Sequence, residues 1–182
     1  SKVKKLRPVR RMSKGGDDFG KALLMNQYKQ LTKNPIDGFS VGLIDDNIYN
    51  WRIIMNGPED TPYEGGLFPC IMTFPSNYPN SPPQMRFTTP GFWHPNVYVD
   101  GRVCISILHE PREDIFNEAE LMSEKWRPIL SVEAILISVQ SMLSTPNFSS
   151  PANVQASVEL QRDPTAYRRK IRALVRRSLE EF

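Results

Sequence analysis

The residues of this 182-residue chain best able to do chemistry fall in one short stretch. Phe92-Trp93-His94-Pro95-Asn96 is followed, eight residues after the asparagine, by Cys104 in Gly101-Arg102-Val103-Cys104-Ile105-Ser106-Ile107-Leu108. A thiol becomes a strong nucleophile once it loses its proton, so Cys104 is a candidate for acyl transfer. A cysteine set among valine and isoleucine is also commonly a buried small hydrophobe. A cysteine–histidine protease would pair Cys104 with His94 or His109. His94 lies against a proline, His109 directly follows Leu108, and nothing in the sequence orients either ring toward the sulfur. Taken alone, the residues leave these readings open.

The elements that must hold this stretch are legible from periodicity and turn chemistry. From Lys21 to Thr32, Leu24, Met25, Tyr28 and Leu31 fall on one helical face, and Asn34-Pro35 with Gly38 stops the helix. Four short apolar or alternating runs follow: Phe39 to Ile44, Trp51 to Met55, Leu67 to Phe74 and Met85 to Phe87. Turn residues separate them, and such short links favour an antiparallel meander. Residues 88 to 125 read as largely irregular. A clear helix then carries Val132, Ile135, Leu136, Val139, Met142 and Leu143 on one face, with Ser131 as N-cap. Ala152 to Leu160 is a weaker helical segment. A last helix from about Pro164 to Leu179 sets Tyr167, Ile171, Leu174 and Val175 beneath abundant arginine. The pattern predicts an α+β domain with helices packed on a small sheet.

Composition narrows the function classes. Apolar residues make up 40% and charged residues 24%, a globular balance with too few apolar runs for a membrane span. Two cysteines, with only His94 and His109 beside them, make neither a disulfide framework nor a metal knuckle, so no metal and a reducing setting are expected. The net charge of +3 is unevenly spread: residues 1 to 14 hold seven bases and no acid, whereas residues 109 to 125 hold six acids against two bases. The opening, through Gly15-Gly16, reads as a flexible basic arm (residues 1–18) ahead of a domain at 19–182. Solvated tails of this kind are commoner than nucleic-acid sites, so no nucleic-acid partner is expected.

The motifs in series resemble the ubiquitin-conjugating enzyme family, whose hallmark is His-Pro-Asn followed at this spacing by the active cysteine. Trp51, Gly57-Pro58, Thr61-Pro62-Tyr63-Glu64-Gly65-Gly66, Phe74-Pro75, Tyr78-Pro79, Ser81-Pro82-Pro83, Trp126-Arg127-Pro128 and Pro146-Asn147 all fall in family order, covering about residues 19 to 180. The resemblance implies an N-terminal helix, a four-stranded antiparallel sheet and C-terminal helices. It implies that Cys104 takes ubiquitin from the activating enzyme as a thioester and passes it to a lysine, with no cofactor of its own, since ATP is used by the partner. No deprotonated residue need then sit beside Cys104, and the low cysteine pKa of a protease is not required. Asn96 corresponds to the family's catalytic asparagine, which either donates to the oxyanion or orders the coil. His94 and Pro95 are scaffold, and Ser106 stands where many relatives have aspartate.

Two departures stand out. Many members carry an acid just after the Pro-Asn matching Pro146-Asn147, and here that place reads Phe148-Ser149-Ser150. In addition, 21 residues separate Cys104 from Trp126, far more than in compact members. The insertion resembles the acidic loop of a branch that builds ubiquitin chains, and it makes Glu113 and Asp114 the candidate acids for stripping the incoming lysine of its proton. An exposed coil is also normally charged. Ile115, Phe116, Leu121 and Met122 either pin the loop or touch a partner.

Partner surfaces follow by the same resemblance. Lys21 and Lys29 on the first helix face the activating enzyme. Pro79, Asn80, Pro128 and Ile129 face a RING-type ligase, although Asn80 stands where several relatives have a large apolar anchor. Ser40 and its neighbours correspond to a back face that binds a second ubiquitin. The other partners implied are ubiquitin itself and protein substrates. The expected location is the cytoplasm, with the nucleus and the cytosolic face of the endoplasmic reticulum, reached through a partner, as further sites. A family member lacking activity, or one carrying a ubiquitin-like modifier, is the rival reading; Cys104 opposes the first and the acidic insertion the second.

Overall fold

A computed structural model describes residues 15–182, apart from the side chain of Asp17. The basic residues 1 to 14 lie outside the described residues. Helix α1 spans Gly15–Lys33, so the chain is helical six residues earlier than its apolar periodicity indicates, through the Gly15-Gly16 pair assigned to the arm. Strands β1 (Phe39–Ile44), β2 (Asn47–Asn56), β3 (Leu67–Thr73) and β4 (Gln84–Phe87) follow. They form the expected four-stranded antiparallel meander in the order β1-β2-β3-β4. Beyond a long coil lie α2 (Val132–Ser144), α3 (Val154–Arg162) and α4 (Pro164–Glu180).

Alternation decides which sheet face is covered. Trp51, Ile53 and Met55 of β2 pair with Met72, Cys70 and Phe68 of β3, and Cys70 and Met72 pair in turn with Phe87 and Met85 of β4. All eight are buried, so one face is continuous core. Leu24 and Leu31 of α1 join this core, while Tyr28 is half-buried against the Trp51 indole, with ring centroids 5.3 Å apart. Met25 departs from the expected stripe: it is exposed, because it lies off the line that the two leucines present to the sheet. Helix α2 buries all six predicted apolar positions, and the Ser131 hydroxyl accepts from the Ala134 amide as its N-cap. In α4 the buried stripe is Tyr167, Ile171, Leu174 and Ser178, with Val175 at its margin.

The coil after β4 is held by polar bonds and aromatic packing in place of a ladder. Phe92 stacks on Phe87 with ring centroids 3.8 Å apart, and also on Tyr63 at 5.8 Å. The Tyr63 hydroxyl donates to the Trp93 carbonyl at 2.6 Å and meets the Tyr167 hydroxyl of α4 at 2.5 Å. After a turn at Tyr98–Gly101 the chain returns beside β4: the Phe87 amide donates to Gly101 O and the Val103 amide to Met85 O, each at 2.9 Å. Gly101 allows this return. Its φ of 93° disfavours any side chain, and a Cβ there would stand 2.1 Å from the Phe87 carbonyl oxygen. Gly101→Ala is expected to lose at least ~1–3 kcal/mol of stability, read as a lower urea midpoint at unchanged slope.

Candidate active site

Cys104 is half-buried at the end of this returning segment. Its amide donates to the Asn96 carbonyl at 2.9 Å, which fixes the sulfur beside the His-Pro-Asn coil. The Asn96 side chain is buried and fully engaged: Nδ2 donates to the Asn147 carbonyl and Oδ1 accepts from the Asn147 amide, both at 2.8 Å. Asn96 therefore clasps the segment after α2 onto the active coil, which is the ordering role. One Nδ2 hydrogen stays outside the clasp, enough to serve an oxyanion.

His94 is tied into the coil through both ring nitrogens. It is wholly buried, its Nδ1 accepts from the Asn96 amide, and its Nε2 donates to Met142 O at 2.9 Å, one of the carbonyls left unpaired where α2 ends. One donating and one accepting nitrogen define a neutral imidazole. Burial pushes its pKa down to about 4, against the opposing pull of the Met142 bond. Pro95 accepts the Asn153 amide at 3.0 Å and so ties the coil to the start of α3.

His109 behaves otherwise, and it sets beside the cysteine a group that the family chemistry does not require. A short 3-10 turn at Ser106–Leu108 folds the chain so that His109 Nε2 lies 3.4 Å from Cys104 Sγ. His109 Nδ1 lies 2.5 Å from the Glu120 carboxylate, whose side chain is only 5% exposed. Behind Glu120, 3.4 Å away, stands the Lys125 ammonium, itself buried and bonded to Arg112 O. The Cys104 bond, then Glu120, raise the His109 pKa to about 9 against burial. For Cys104, burial pushes the thiol up, but the bonds from His109 and from Tyr98 outweigh it and the net shift is downward. Glu120 is likewise held below the usual carboxylate range: burial opposes this, and Ser106, His109 and Lys125 prevail. The site is thus a cysteine whose ionisation is eased by a protonated imidazole, itself backed by a carboxylate.

The insertion forms the wall of a cleft of about 730 Å³ in front of Cys104, floored by Asn96, Cys104 and Asn147. Glu113 and Asp114 line it but are exposed, and Asp114 is spent on the Phe116 amide; the acid linked to the sulfur is Glu120. Ile115, Phe116, Leu121 and Met122 are all exposed, so the polar His109–Glu120–Lys125 chain, and not an apolar pin, holds the insertion. Elsewhere, Lys21 and Lys29 are exposed along α1. Asn80, Pro128 and Ile129 are exposed on two coils joined where the Trp126 indole donates to Pro79 O at 2.9 Å. Pro79 itself is buried beneath that bond, so it offers no surface to a ligase.

A family profile described as ubiquitin-conjugating enzyme matches residues 23–175. The chain belongs to the ubiquitin-conjugating enzyme family. It is 55% identical over 161 residues to ubiquitin-conjugating enzyme E2 7 of Arabidopsis thaliana, covering 88% of this chain and 96% of that one. It is 52% identical over 159 residues to ubiquitin-conjugating enzyme E2 15 of Schizosaccharomyces pombe, covering 87% and 94% respectively. The structure of human ubiquitin-conjugating enzyme E2 G1 superposes with a TM-score of 0.61 at 50% identity, over 70% of this chain and 96% of that chain. This protein is thus a ubiquitin transferase with the family's α+β fold. Cysteine, histidine and glutamate in series are also the parts of a cysteine protease, but the family to which the chain belongs is one of transferases.

Sequence reasoning missed Glu120, Lys125 and Tyr98, and left His109 unassigned. The available signal was a histidine five residues past the cysteine and an acid–base pair before Trp126; neither spacing reveals that a 3-10 turn folds them together.

The buried neutral His94 makes acid destabilising. Its folded pKa lies below the unfolded value, so the unfolded chain binds the extra proton first, and stability falls as pH drops from about 6.5 toward 4. About 3 kcal/mol is lost across that window. In urea titrations His94→Asn, weaker at pH 7, is expected to show a flatter slope over it than the parent.

Proposed function

We propose that the enzyme carries ubiquitin as a thioester on Cys104 and passes it to lysines of substrates and of ubiquitin itself, as a chain builder whose linkage marks proteins for degradation. The observation that carries this reading is the acidic cleft in front of a half-buried cysteine bonded to His109. The activating enzyme supplies ubiquitin at the cost of ATP and docks on α1 through Lys21 and Lys29. A RING-type ligase grips Asn80, Pro128 and Ile129. Work at the cytosolic side of the cell, where thiols stay reduced, suits a free active cysteine.

The transfer itself is favourable to arrange. One thioester replaces another on loading, so little free energy is spent. Discharge then needs a neutral lysine amine placed at the carbonyl, and Glu113 and Asp114 receive the incoming ammonium by charge. Asn96 orders the coil and lends its remaining N–H to the oxyanion.

Incubation with activating enzyme, ATP and ubiquitin tests the reading. The parent is expected to give a thiol-reducible adduct that Cys104→Ala lacks. A variant with both Glu113→Gln and Asp114→Asn is expected to charge normally but extend chains roughly tenfold more slowly. No adduct on the parent would sink the carrier assignment. Equal chain extension would make the insertion a partner-binding or structural element.

A further inference from the structure

We propose that His109, oriented by Glu120, is the general base of discharge: it takes the proton that the attacking lysine nitrogen sheds as the thioester breaks. This rests on the assignment of Cys104 as the ubiquitin carrier. It fills the gap left where the segment after Pro146-Asn147 carries no acid, and the insertion supplies the group through a histidine and not through its outer carboxylates.

Geometry comes first. His109 Nε2 is 3.4 Å from Sγ, so it stands beside the atom to which a thioester carbonyl carbon is bonded. A nucleophile approaching that carbon passes within hydrogen-bonding reach of the same nitrogen. Glu120 holds Nδ1 at 2.5 Å and so fixes which nitrogen faces the sulfur. Its own carboxylate is pinned by Lys125 and Ser106, which leaves the ring little freedom to turn away.

The step balances without any other reactant. The ammonium of lysine gives its first proton to solvent. The amine lone pair then forms the new C–N bond, the C–S bond breaks, and its electron pair stays on sulfur as the Cys104 thiolate. The remaining surplus proton passes from nitrogen to His109 Nε2. The products are an isopeptide bond and a Cys104 thiolate facing an imidazolium held by Glu120.

Loading itself readies the base. In the free enzyme the Cys104 bond is the largest influence keeping a proton on His109. Once sulfur is acylated it has no charge to donate to, and that influence is gone. The groups still facing the ring are Glu120 and, behind it, Lys125, with Tyr98 beside the sulfur and Ser106 on Glu120. Glu110, Arg112, Glu113 and Asp114 line the same cleft farther out. His109 therefore ionises at lower pH in the thioester than in the free enzyme, and discharge rises with pH through that lower value.

The test uses the full chain, charged with ubiquitin and then discharged to free lysine over a range of pH, beside His109→Gln and Glu120→Gln. In parallel, alkylation of uncharged Cys104 by iodoacetamide is followed against pH, with Cys104→Ala as the background. His109→Gln is expected to keep its adduct, to discharge about a hundredfold more slowly, and to lose the pH inflection of the parent. Its Cys104 alkylation inflection moves up toward that of an ordinary thiol. Glu120→Gln gives a smaller fall and moves the alkylation inflection the same way. Discharge of His109→Gln within twofold of the parent overturns the proposal, as does a slower rate with an unchanged pH profile, which would mark a merely spatial role. A parent that forms no adduct overturns the carrier assignment and this proposal together, whereas an adduct with unchanged profiles overturns this proposal alone.

Discussion

A nucleophile that must admit two large proteins cannot sit inside a strand or helix, and a coil packed against a core leaves its backbone groups short of partners. The segment from Thr88 to Cys104 meets this constraint bond by bond. Asn96 contributes most: its carbonyl takes the Cys104 amide, its amide reaches the His94 ring, and its side chain clasps Asn147 at both ends. Without such a residue the coil would have neither a fixed sulfur nor a clasp on the segment after α2. The aromatic stack of Phe87, Phe92 and Tyr63 beneath it supplies the apolar half of the same solution.

The two histidines show how surroundings decide chemistry. His94 is sealed off from water, gives one hydrogen to a helix carbonyl, receives another from an amide, and stays neutral well into acid. His109 is one-third exposed, flanked by a thiol and a carboxylate, and stays charged past neutrality. The side chain is the same in both cases; desolvation without a counter-charge governs the first, and the bonds to the Cys104 sulfur and the Glu120 carboxylate govern the second.

Much of the fold was legible because it rests on periodicity. The alternation of β2 and β3 and the six-residue face of α2 named their buried positions directly, and Ser131 announced its helix. The start of α1 was not, since Gly15-Gly16 is a poor helix former by local propensity. At the site, Cys104, Asn96 and His94 could be named from the motif they share with their relatives. Glu120 could not. Its role depends on where an irregular 21-residue stretch turns, and charged residues in such a stretch look alike until something folds one of them inward. Glu113 and Asp114 drew notice because the insertion resembles an acidic loop and no acid follows Pro146-Asn147, and neither ground says which carboxylate of an irregular stretch turns inward. Pro79 likewise read as surface from its neighbours, although the Trp126 indole covers it.

The insertion leaves and rejoins the body at a single stitch, the Trp126 amide bonded to the His109 carbonyl at 3.0 Å. With the stem closed there, everything between is tethered at both ends to positions the scaffold already fixes. Doubling such a loop adds only ~0.6 kcal/mol of closure entropy. Length beyond the stitch is therefore nearly free of folding cost, so the segment can lengthen or shorten between Arg112 and Glu120 while the catalytic body beneath it stays the same.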